Sequence, residues 1–125
     1  MAVLRLLPIY RVCVFVPPEH LAALQAGICA VEPLGDGRYD QVMWLSAPGS
    51  EQFRPLPGAV PAAGEPGELS QLPSVRLEFA LPRDPQRLAR VLRDGVRAHH
   101  PWESPAIFVD ESLQPVFEDP GRPGT

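Results

Sequence analysis

Proline locks φ and removes a backbone donor, so helices and interior strands stop wherever prolines crowd. This chain has seventeen prolines among 125 residues, nearly three times the usual share of about 5 %. They gather at 48–73, around 101–105 and at 115–123, so they punctuate the fold and mark loops and a tail. Regular elements must lie between the clusters. The length is that of one domain, read as an N-terminal extension over 1–9, a domain over 10–110 carrying a long proline-rich loop at 47–73, and a flexible C-terminal tail over 111–125.

Between the clusters the pattern reads cleanly. Tyr10 to Val16 is β-branched, aromatic and almost unbroken in apolarity up to Pro17-Pro18, which predicts a central strand. Leu21, Leu24, Ile28 and Val31 fall at helical spacing and give one apolar stripe, ended by Pro33, Gly35 and Gly37. Tyr39 to Ser46 has strand composition. Val75, Leu77, Phe79 and Leu81 alternate strictly with polar or small neighbours, which predicts a strand with one buried and one wet face. Asp84 caps a second helix with Pro85 at its first position, and Leu88, Val91 and Leu92 form its stripe, with Arg87, Arg90, Arg93 and Asp94 outside. That helix runs to about His99, and Ala106 to Val109 forms a last short strand.

The order β, α, β, loop, β, α, β predicts an α+β, ferredoxin-like βαββαβ fold: a four-stranded antiparallel sheet with both helices on one face. The apolar run 12–16 with Met43, Trp44 and Leu45 implies that much of the other face is covered, most economically by further copies, which predicts a homo-oligomer. Residues 47–73 hold no regular element of useful length, and loops beyond about 12–15 residues inside a compact domain are usually functional or disordered.

Several function classes drop out. Eleven basic against fifteen acidic residues give a net charge of −4, with the basic residues scattered, so no footprint for nucleic acid or anionic lipid is present. Ala2 to Leu7 is too short an apolar run for a signal peptide core or a bilayer span, and the chain reads as cytoplasmic. Cys13 and Cys29, without Cys-x-x-Cys spacing, read as reduced core thiols.

Two segments do more than fit a pattern. His100-Pro101-Trp102-Glu103-Ser104-Pro105 resembles the His-Pro-Tyr-Glu-x-Pro segment that leads into a late strand of CutA-like proteins. Phe53-Arg54-Pro55, Gly58-Ala59-Val60-Pro61 and Gly64-Glu65-Pro66-Gly67 resemble the loop of the YqfO-type CutA- and PII-like domain, the insert of Nif-three-like dimetal hydrolases that also occurs as a short standalone protein. Arg76 and Glu78 stand where that domain carries Arg and Glu after the loop. The resemblance spans about 10–110. It implies a ferredoxin-like module and, through its CutA and PII relatives, a trimer. The hydrolase activity it implies belongs to flanking halves, for which a chain with three histidines has no room. Inside the loop this chain departs from the pattern: Val60 replaces a usual Asn and Ala62 a usual Phe.

The candidate residues follow. Arg54 is the leading one, because a guanidinium held on a proline- and glycine-rich backbone grips phosphate or carboxylate in a fork; alternatively it pairs with Glu65, Glu68 or Glu78 to pin the loop. Phe53, Gly58, Gly64, Gly67 and Glu78 complete this ligand-binding set. His99, His100 and Glu103 are the one cluster of metal-ligand types, suited to copper or zinc, unless they form only the turn that joins helix to strand. A nucleophile with a base and an orienting group is absent from the pattern, and the chain contains no lysine for a phosphate loop. The sequence thus points to a non-catalytic oligomeric module that binds a small anionic ligand or a partner protein. Divalent-metal binding or tolerance, and service as accessory subunit to a separate dimetal hydrolase, are its rivals.

Overall fold

The computed structural model describes residues 3–118 of the chain. Its elements are β1 (Val3–Val16), α1 (Leu21–Val31), β2 (Trp44–Leu45), β3 (Gly49–Phe53), β4 (Ser70–Pro82), α2 (Pro85–Arg90) and β5 (Ile107–Glu118). A single 3-10 turn, Pro18–His20, leads into α1, and α2 runs on through a wide π turn, Val91–Val96, and a 3-10 turn, Arg97–His99. The helical segment therefore covers the range that Asp84 and Pro85 announce. The Asp84 carboxylate accepts the backbone N–H groups of Gln86 and Arg87, as an N-cap should.

All strand pairs are antiparallel, in the order β2-β4-β1-β5, with β3 on the same edge of β4 as β2. With the two helical segments this is the ferredoxin-like α+β arrangement that the element order implies. Opposite one another across β1 and β4 stand Val12 and Phe79, Val14 and Leu77, and Val16 and Val75. All six are buried, and they pack with Leu24 and Ile28 of α1 and with Val91 and Val96 of the second helical segment. Each such side chain, fully removed from water, stabilises the fold by about 1.5–3 kcal/mol. The helices approach closely where α1 has no side chain: a Cβ on Gly27 would lie 2.3 Å from the His99 ring.

The alternation that buries these residues turns their neighbours outward. Arg11, Cys13, Phe15, Arg76, Glu78 and Phe108 share the helix-free face. There Arg11 pairs with Glu78 at 2.9 Å, Phe108 meets Phe15 edge-on with centroids 6.2 Å apart, and the Arg76 guanidinium lies 4.7 Å from the centre of the Trp44 ring. Phe108 and Trp44 stay 59 % and 50 % exposed. Both cysteines are free thiols, yet Cys13 belongs to this outer face and both are half-buried, so neither is a core residue. Burial raises the pKa of each, with nearby acidic groups adding to it: Glu78 beside Cys13 and Asp40 beside Cys29.

Four further expectations need correction. Residues 3–9 are not an extension, and 111–118 are not a flexible tail: the β1–β5 ladder continues through them, and Val3 to Pro8 pairs with Leu113 to Glu118 as a two-stranded ribbon beyond the end of β4; residues 119–125 lie outside the described residues. Pro8 and Pro115 do not break this ribbon. β4 ends at Pro82, opposite Ile9, so Pro8 has no strand on that side, and Pro115 lies on an edge strand, where a missing donor costs no ladder bond. Second, β2 is only Trp44–Leu45, because 33–42 closes on itself: Gln41 N–H donates to the Pro33 carbonyl, Val42 N–H to that of Leu34, and the Asp36 carboxylate accepts from Arg38 and Tyr39. Third, the segment 47–73 contains the regular strand β3 and the start of β4. Fourth, Arg87 turns inward to Glu32. No helix among the described residues is long and apolar enough to cross a membrane.

Candidate functional site

The two segments that sequence singles out meet in space. Phe53, the last residue of β3, meets Trp102 in a tilted contact, with ring centroids 5.6 Å apart and planes at 51°, and the Trp102 ring lies 5.7 Å from that of His100. Farther along the loop, Val60 N–H donates to the Glu103 carboxylate at 2.8 Å. The proline-rich loop is thereby fastened at two points to the turn that follows the second helical segment.

Between those points the loop is built from two proline-glycine turns. Ala59 N–H donates to the Leu56 carbonyl at 3.1 Å, with Pro57 and Gly58 between them, and Glu68 N–H to the Glu65 carbonyl at 3.1 Å, with Pro66 and Gly67 between. Gly58 and Gly67 have φ of +94° and +80°, as the third residue of such a turn requires. Gly67 N–H also donates to the Pro55 carbonyl at 2.7 Å and closes the loop at its neck. Gly64 has φ +86°, which strains any side chain there, and a Cβ would press on the Phe53 ring at 3.0 Å.

Arg54 follows Phe53 and is exposed. Among the described residues it has no ion-pair partner, so the pairing with Glu65, Glu68 or Glu78 does not form. Phe53, Arg54, Gly58, Gly64 and Gly67 are thus gathered in one loop. Glu78 is apart from them: it sits mid-way along β4, opposite Cys13 and Trp44, and is bound to Arg11.

The metal-ligand trio is not brought together. His99 Nδ1 lies 2.9 Å from the Gly95 carbonyl oxygen, within its own helical segment. His100 Nε2 lies 2.7 Å from the Phe15 carbonyl oxygen in β1, and its Nδ1 accepts the Trp102 N–H at 3.1 Å. Glu103 is committed to Val60. Among the described residues no group of three His, Cys, Asp or Glu side chains is placed to hold a metal ion.

A shallow cavity of about 190 Å³ opens beside the turn. It is lined by Ala62 and Ala63 of the loop and by Pro101 and Trp102 of the turn, with Glu19 and His20 among its polar residues. The inward Glu32–Arg87 pair was invisible in sequence, because nothing local distinguishes Glu32 from a solvated helix end. His100 was visible as a residue but not as a buried one.

No family model matches the chain. Proteins called GTP cyclohydrolase 1 type 2 homolog are similar to it: that of Mycobacterium leprae (strain TN) is 32 % identical over 113 residues, 90 % of this chain and 28 % of that protein. The Bacillus subtilis (strain 168) protein is 30 % identical over 117 residues, 94 % of this chain and 29 % of that one. The chain therefore spans less than a third of the length of these relatives. Among solved structures, a Bacillus cereus protein related to NIF3 superposes with a TM-score of 0.69 at 23 % identity, over 86 % of this chain and 26 % of that one. The ATP complex of B. subtilis GlnK superposes at 0.51 with 10 % identity, over 84 % and 83 %.

Proposed function

We propose that this chain, a PII-like domain related to the NIF3-related proteins, is a non-catalytic, self-assembling module whose proline-rich loop receives a small anionic ligand or a partner protein. The observation that carries this reading is Arg54: an exposed guanidinium without an ion-pair partner among the described residues, on a loop whose backbone is fixed on both sides of it. Holding a cation in place before a ligand arrives removes part of the ordering cost of binding. The relatives' name makes guanine nucleotides the first anions to try, and the GlnK complex adds ATP.

Self-assembly is supported by exposed apolar surface in two places. One is the helix-free face with Trp44 and Phe108; the other is the β1–β5 ribbon, where Val3, Leu4, Leu6, Leu113 and Phe117 are each more than half exposed. A two-stranded ribbon alone in water is marginal, and a soluble monomer rarely leaves so much apolar surface open. The trimer that CutA and PII likeness implies would cover both.

The non-catalytic part is supported by the state of the reactive groups. The two thiols have raised pKa values and so are poor nucleophiles, and His99 and His100 spend ring nitrogens on backbone groups.

Sedimentation together with thermal shift tests the whole reading. An assembly at micromolar concentration is expected, stabilised by GTP, ATP or a dicarboxylate at about 100 times its Kd by about 2.7 kcal/mol, with the stabilisation lost in Arg54→Ala. A monomer, or a ligand response that survives Arg54→Ala, overturns it.

A further inference from the structure

We propose that His100 is a latch that holds the proline-rich loop to the core only while its imidazole is uncharged. The ring bridges two elements. Nε2 lies 2.7 Å from the Phe15 carbonyl oxygen in β1, and Nδ1 lies 3.1 Å from the Trp102 backbone nitrogen. A carbonyl only accepts and an amide N–H only donates, so the network assigns the proton to Nε2 and the lone pair to Nδ1. A second proton, on Nδ1, would set one N–H against another, and the Trp102 amide would lose its acceptor.

Trp102 and Glu103 are the two residues that fasten the loop, through the Phe53 ring and the Val60 amide. A shift of the turn at Trp102 therefore acts on both fastenings at once. It also reshapes the cavity, because Trp102 lines it together with Ala62 and Ala63 of the loop. The core is spared, since β1 and β4 keep their own ladder whatever the turn does.

The surroundings of the ring set where it titrates. Burial disfavours the cation and is the largest influence; the Phe15 carbonyl and Glu51 of β3 act the other way, and His20, from the turn before α1, adds to burial. The net effect keeps the pKa below the usual value of 6.5. Control of Arg54 by this latch rests on the function proposed above, but opening of the loop is measured without any ligand.

Amide hydrogen exchange by NMR, corrected for intrinsic rates, tests it between pH 8 and pH 4.5 alongside the ring nitrogen shifts of His100. At neutral pH the shifts must report the Nε2–H tautomer. Below the His100 titration, protection at Val60 and Trp102 is expected to fall about tenfold per pH unit, the slope of one coupled proton. Val14 and Leu77 should keep theirs. Glu103→Gln retains an acceptor for Val60 and should open at the same pH; a moved or abolished transition would make the Glu103 carboxylate the sensor and overturn the proposal. Loss of protection at all four amides together, or an opening midpoint that does not follow the His100 shifts, overturns it as well. A failed ligand search leaves these readouts untouched.

Discussion

The carboxylate of Glu32, fully buried at the end of α1, is gripped at both oxygens by the Arg87 guanidinium of α2: Nε lies 2.6 Å from Oε2, and the second nitrogen bonds Oε1. Leu34 N–H adds a longer contact to Oε1 at 3.4 Å. The fork ties the exit of α1 to the first turn of α2, two elements with no ladder between them. Truncating one partner leaves a buried charge without compensation, which costs about 3–5 kcal/mol in fully buried pairs; Arg87 is 30 % exposed, so Arg87→Ala belongs at or below the low end. Chemical denaturation is expected to show a loss of about 2–3 kcal/mol with an unchanged m-value. A loss under about 0.5 kcal/mol, the range of ordinary surface substitutions, would show that the fork contributes nothing.

The same pair and His100 set the acid sensitivity of the fold. Glu32 has a lowered pKa, chiefly through its hydrogen bonds from Arg87 and against the effect of burial. Its contribution is fully present above the unfolded value of about 4.3 and is lost as pH falls through the folded one. His100 has a lowered pKa, chiefly from burial, so the unfolded chain takes up its proton first and stability starts to fall below about pH 6.5. Thermal midpoints should therefore decline in two stages on acidification, the first absent in His100→Gln and the second reduced in Glu32→Gln. A single decline confined below pH 4 would refute the His100 part.

Much of this fold is legible residue by residue. The alternation from Val75 to Leu81 places the core face of β4, and Asp84-Pro85 places the start of the second helix, because both signals are local. Pro8 and Pro115 mislead, because whether a proline breaks a strand depends on which neighbour its nitrogen would face, and that is set by where β4 stops. The site divides in the same way. Phe53 and Trp102 each stand in a recognisable motif, yet their contact joins residues far apart in the chain and appears only in three dimensions. Arg87 looks like a solvated helix residue until the buried Glu32 is found beside it.

Gly27 tests the close helix contact. A methyl group there would lie 2.3 Å from Cγ and Nδ1 of His99, so Gly27→Ala should cost about 1–3 kcal/mol, as overpacking does. His99 is itself exposed, and His99→Ala should cost little. In the double variant the clash is gone, and Ala at a helical position recovers up to about 1 kcal/mol over Gly. A double-mutant cycle by urea denaturation should thus give a strongly favourable coupling; additive effects would mean that the His99 ring simply swings aside.

The ribbon offers the sharpest separation of assembly from folding. Leu4 stands directly opposite Phe117, and they are 57 % and 67 % exposed. At its base, the Arg83 guanidinium reaches the carbonyls of Ile9 and Ser112, at 3.3 and 2.7 Å, so the ribbon is clamped where β4 leaves off. If nothing covers Leu4 and Phe117, replacing both with Ser changes stability by no more than about 0.5 kcal/mol each and leaves the mass in solution unchanged. If they are the buried centre of an interface between copies, each truncation costs about 1–2 kcal/mol of association energy or more. The latter is the expectation here. Sedimentation of Leu4→Ser with Phe117→Ser should show at least a thirtyfold weaker assembly, at about 1.4 kcal/mol per tenfold, while circular dichroism of the dissociated chain retains its secondary structure. Unchanged assembly in this variant would move the interface to the Trp44 and Phe108 face, where Phe108→Ser is the corresponding test.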